Sequence, residues 1–97
     1  MKYNLIVRSL AEDDMTDALN WYFKIDSTLA QEFLSQLDSA LNKIQSQPLH
    51  YQVRYKTIRW IRIKKFPFFI HFSIVGNHVF VHAVLHSSRN PSSWKDR

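Results

Sequence analysis

The sequence predicts an α+β fold of order β-α-α-β-β-β, a helical hairpin packed on one face of a small, mostly antiparallel sheet. Three observations carry that prediction. Apolar residues recur at helical spacing from Ala11 to Ile44 and then at a spacing of two from Thr57 onward. Asp26-Ser27 leaves a two-residue break between the two helical stripes, which makes them an antiparallel pair. Gly76-Asn77 stands between two alternating runs, where a tight hairpin turn wants residues tolerant of positive φ. With 97 residues, 45% of them hydrophobic, residues 1–97 are expected to form a single domain around one core.

The elements follow in order. Tyr3 to Arg8 reads as a short strand ended by Ser9, whose hydroxyl is placed to cap a helix while Glu12 reaches back in a capping box. The first helix begins at Leu10 and turns Ala11, Met15, Ala18, Tyr22 and Ile25 to one side, with Glu12, Asp13, Thr16, Asp17 and Asn20 on the other. The second helix buries Ala30, Phe33, Leu34, Leu37, Leu41 and Ile44, and Pro48 stops it for want of a backbone donor. Three strands follow, from Ile58 to Lys65, Phe68 to Val75 and His78 to His86. A two-residue loop registers the last hairpin, with Val75 opposite His78 and Phe68 opposite Leu85. Phe68, Ile70, Phe72, Ile74, Val79, Val81, Ala83 and Leu85 then meet the helices. The reverse face carries Phe69, His71, Ser73, Val75, His78, Phe80, His82, Val84 and His86, too apolar for bare solvent and too polar for a sealed core. Residues 87–97 have no periodicity and are expected to lie over the sheet as a tail.

Charge is distributed unevenly. Residues 1–38 hold seven acids against three bases, while residues 39–97 hold ten bases against Asp96 alone. Six bases fall between Arg54 and Lys65, a positive field suited to an acidic protein segment, RNA or DNA, or else a solvated strand edge that discourages aggregation. Cysteine is absent, which removes disulfides, thiolate metal sites and cysteine nucleophiles. No apolar run reaches the length of a signal peptide core or a membrane span, so a soluble cytoplasmic protein without membrane contact is expected.

Four local phrases complete the pattern: Asn20-Trp21-Tyr22, Ile44-Gln45-Ser46-Gln47-Pro48, Phe66-Pro67-Phe68-Phe69-Ile70, and Val84-Leu85-His86-Ser87-Ser88-Arg89-Asn90-Pro91 with Trp94. In this order and spacing the chain resembles the RelE/ParE superfamily of toxins of type II toxin–antitoxin systems over nearly its whole length. The resemblance implies a cognate acidic antitoxin and a cytoplasmic setting. It implies as target DNA gyrase for ParE-like members, or mRNA on the ribosome for RelE-like ones, and it calls for no cofactor. Ribosome-dependent cleavage must activate a 2′-hydroxyl, hold the phosphate charge and protonate the leaving oxygen, for which RelE-like members use Lys, Arg and Tyr. At those positions this chain has Phe69, Ser87 and Trp94, and these departures favour the ParE-like, non-nucleolytic branch. A nuclease of this sequence would instead rely on Arg62, Lys64, His86 and Arg89; an inactive binding module of the same fold is the third reading.

The candidate antitoxin or target-binding residues are Arg59, Arg62, Lys64, Lys65, His71, His82, Arg89 and Trp94. His71 and His82 are expected as cross-strand neighbours with His86 four residues further on. Four strand residues span about 13 Å, so His82 and His86 cannot share one ion, two histidines alone make a poor site, and no metal site is expected. Arg89 either grips a phosphate or carboxylate or ties down the tail. Trp94 either stacks on a partner or plugs the reverse face, and Trp21 either flanks the core or is an exposed hot spot.

Overall fold

A computed structural model describes residues 3–89. Strand β1 (Asn4–Val7) passes through the single residue Arg8 into helix α1 (Ser9–Ile25). The N-cap is therefore Arg8, with no side-chain cap, and Ser9 is already the first helical residue. The expected Ser9–Glu12 capping box does not form. Arg8 holds its extended backbone because its N–H donates to the Val81 carbonyl at 3.1 Å while its own carbonyl accepts from Glu12 N–H at 3.0 Å. At the other end Asp26 both closes α1, donating to the Tyr22 carbonyl at 2.9 Å, and caps helix α2 (Ser27–Ser46) by accepting from Thr28 N–H at 2.8 Å.

Past a 3-10 turn at Pro48–His50 the chain makes four strands: β2 (Val53–Tyr55), β3 (Ile58–Arg62), β4 (Phe68–Val75) and β5 (His78–His86). The sheet order is β1-β5-β4-β3-β2, with β1 parallel to β5 and every other pair antiparallel. The α+β class and the order of the main elements are as expected. Strand β2 is an addition, folded back on β3 through Lys56 at φ 49. Strand β3 stops at Arg62, short of Lys65, because Ile63 N–H bonds to Phe68 and Phe66 N–H to Ile63, closing a turn with Lys65 at φ 72.

The larger correction is in register. Near the Gly76 turn, at φ 59, the pairs are those expected, from Val75 opposite His78 to Phe72 opposite Val81. A bulge at His82 then shifts the ladder by one, so His71 faces Ala83, Ile70 faces Val84 and Phe68 faces His86. A one-residue slip exchanges the faces of a strand. Accordingly Val84 joins the helix-side core with Ile70, Phe72, Val79 and Val81, while Ala83 and Leu85 do not. From the helices the core takes Ala11, Ala18, Tyr22, Ala30, Phe33, Leu37, Ala40 and Ile44, and the rings of Tyr22, Phe33, Phe66 and Phe68 meet at centroid distances of 5.1 to 6.3 Å. Ile25 and Leu34, expected inside, are exposed, since each lies at the margin of its stripe.

The aromatic reverse face and its basic margin

The reverse face is built by strand alternation. Trp60 on β3 stands opposite His71 on β4, which stands opposite Ala83 on β5; Arg62 stands opposite Phe69, and Phe69 opposite Leu85. Rings therefore meet in a row across the sheet, tilted or edge-on to one another. Trp60 lies 5.2 Å from His71, 5.8 Å from Phe69 and 5.6 Å from Tyr55, and the Arg54 guanidinium sits 5.6 Å over the Trp60 ring.

The histidines are held in polar contacts. The Tyr55 hydroxyl and His71 Nδ1 are 2.8 Å apart, and the Ser73 hydroxyl and His82 Nε2 are 2.7 Å apart. His71 is only 4% exposed, and burial lowers its pKa from 6.5 to about 4, with Asp14 pulling up and His82 pushing down. Burial also lowers the pKa of His82, aided by Arg8. Both rings are neutral at pH 7. His86 is exposed, and its Nδ1 accepts the Ser88 backbone N–H at 3.0 Å with the Ser88 hydroxyl at 2.8 Å. A backbone N–H can only donate, so the neutral His86 ring carries its proton on Nε2.

The basic candidates part company. Arg59 shares its side of β3 with Ile61 and Phe72, on the helix side of the sheet, and donates to the Tyr51 carbonyl. Lys65 forms an exposed ion pair with Glu32 of α2 at 3.0 Å. Arg62 stays at the reverse face, exposed, its Nε donating to the Phe66 carbonyl at 3.2 Å, and Lys64 is exposed in the adjoining turn. Arg89 lines a cavity of about 100 Å³ together with Trp60, Phe69, His71, His86 and Ser87. Arg62, His71 and Arg89 are thus brought onto one face, His82 sits half-buried at its bulge, and Trp94 lies outside the described residues.

Arg54, Tyr55, Trp60 and Phe69 are the members of this face that the list of candidate binding residues omits. The alternation Ile58, Trp60, Arg62 was visible, but which β4 residue each would meet depends on a turn of irregular shape. On the other side of Arg89, a cavity of about 230 Å³ is lined by Asp14, Asp17, Ala18, Trp21, Phe68, Val84, Leu85 and His86. Trp21 is 60% exposed at its rim, so it is a surface residue. Among the described residues no group of three or more His, Cys, Asp or Glu is arranged to hold a metal ion.

The described residues thus form a small sheet covered by two helices on one face, with an apolar, histidine-bearing surface and a basic margin on the other. The family model for the ParE toxin of the type II toxin-antitoxin system parDE matches residues 5–91, and the chain belongs to that family. A solved structure described as the chromosomal ParDE TA system from P. aeruginosa contains a chain similar in fold, with a TM-score of 0.76 at 12% identity. The match covers 87% of this chain and 95% of that one. No curated protein matches. Among the described residues no helix is long and apolar enough to cross a membrane.

Proposed function

We propose that this toxin halts growth in the cytoplasm by docking on DNA gyrase, not by cutting RNA, and that an acidic antitoxin segment silences it by folding across the reverse face and its basic margin. The observation that carries the reading is the state of the imidazoles. A general base works best with a pKa near the operating pH. His71 gains a proton only near pH 4, because its ring is buried, which makes it too weak a base for this task. The Nδ1 lone pair of His86 is taken by the Ser88 N–H. Phe69 and Ser87 stand where a RelE-like nuclease would place charge.

Of the expected binding residues, Arg62, Lys64, His71, His82 and Arg89 form the docking surface in this reading. Arg59 and Lys65 support it from the opposite side, and Trp94 contributes from the end of the chain. The paired test is expression without the antitoxin, followed by primer-extension mapping of ribosome-bound mRNA beside a reporter of DNA damage. Intact mRNA with damage signalling and filamentation is the expected result. Codon-register cleavage without damage signalling would overturn the reading and give Arg62, Lys64, His86 and Arg89 catalytic roles; silence in both would make the protein an inactive binding module.

A further inference from the structure

We propose that the cavity between Trp60 and Phe69 is an anchor site for one branched aliphatic side chain of an extended acidic segment, whose carboxylates lie on the arginines around the cavity mouth. The inference rests on the antitoxin reading and names what that partner carries.

Size comes first. The cavity measures about 100 Å³, and water takes about 30 Å³ of liquid volume per molecule. That is room for several waters, enough for a leucine or isoleucine side chain. Chemistry agrees. The walls are the indole of Trp60, the ring of Phe69 and two imidazoles whose Nδ1 atoms are already engaged, by the Tyr55 hydroxyl and by Ser88. A nucleobase brings donors and acceptors that need partners, whereas an aliphatic group needs only surface.

Charge decides the rest of the segment. The described residues lining the cavity include no carboxylate, and Arg89 is one of them. Arg62 is exposed beside Phe69 in the register, and Arg54 covers the Trp60 ring. A mostly apolar pocket rimmed by cations is the arrangement in which one anchor supplies most of the affinity and the rim supplies selectivity. Extended chain suits it, because alternate side chains share a face and an apolar residue flanked at two positions by acids presents all three together.

The test uses the full chain and a blocked peptide, acetyl-Ser-Glu-Ser-Leu-Ser-Glu-Ser-amide, followed through the Trp60 indole N–H by NMR titration. Replacing the central leucine by serine is expected to weaken binding at least tenfold. Replacing both glutamates by lysine is expected to abolish it. Ser87→Phe, which fills the cavity from an exposed position, should block the leucine peptide with the circular dichroism spectrum unchanged. Equal binding of the leucine and serine peptides, or a Trp60 signal that does not move, would overturn the proposal. So would a peptide that binds only in a Trp94→Ala chain, which would make the chain's own end the occupant, or a short oligoribonucleotide that displaces the peptide. The product of the neighbouring reading frame separates the two claims. If it binds the wild type and Ser87→Phe equally, the anchor site is refuted and the antitoxin reading stands; if no neighbouring product binds, the antitoxin reading falls and the anchor site with it.

Discussion

At the scale of the residue, His71 has the most to say about stability. Its neutral ring is buried against Tyr55 and Trp60, and its pKa of about 4 lies below the ordinary 6.5. A histidine with a depressed folded-state pKa binds fewer protons folded than unfolded between those values, so its contribution is complete above pH 6.5 and drains away as the pH falls towards 4. The loss attributable to His71 should reach about 3 kcal/mol at pH 4. His71→Gln keeps a polar group beside Tyr55 and cannot titrate. Urea unfolding of both proteins at pH 7, 5.5 and 4.5 should show a shallower decline in the variant, with the remaining slope in this range including that of His82, whose shift has the same sign. Parallel declines would mean that His71 is not held neutral by its surroundings. That a histidine stood at 71 on the reverse face was legible; that Tyr55 would reach it was not, since no periodicity announced β2.

At the scale of the element, the register of the last hairpin shows where reading by alternation stops. Four residues on each strand from the Gly76-Asn77 turn inward pair with partners set by turn geometry alone, and there the expectation holds as far as Phe72 and Val81. Beyond them the ladder answers to tertiary neighbours. Strand β1 ends at Val7, paired with Val81, while β5 runs on to His86, so the outer edge of β5 continues past its partner. Asp14, reaching from α1, accepts the Val84 N–H at 3.0 Å and supplies the acceptor that the missing strand would have offered. This contact lies 70 residues apart in the chain, beyond any local pattern. Removing the carboxylate by Asp14→Ala leaves that part-buried N–H without its bond and should cost about 1–3 kcal/mol. Amide hydrogen exchange should accelerate at Val84 more than at Val79, whose bonds within the sheet the mutation leaves in place. An unchanged unfolding free energy with unchanged exchange at Val84 would show that the edge is satisfied in some other way.

At the scale of the whole molecule, the switch of charge along the sequence becomes a separation in space. Acids Glu12, Asp13 and Asp17 stand exposed on α1, on one side of the sheet, and Arg54, Arg62 and Lys64 border the other. The fold class, the helical hairpin and the family were all legible, because each depends on periodicity and on phrases spread along the chain. The division of the basic run was not. Arg59 and Arg62 lie three residues apart, an odd number, and so point to opposite faces of β3, and Lys65 leaves the sheet altogether to meet Glu32. The central claim is that this protein acts by docking on gyrase. Supercoiling of relaxed plasmid by purified gyrase, titrated with the full chain alone and with the chain saturated by its antitoxin, tests it most directly. The account predicts that supercoiling falls with increasing toxin and returns when the antitoxin is added, whereas supercoiling that is untouched at a large molar excess of toxin would contradict it.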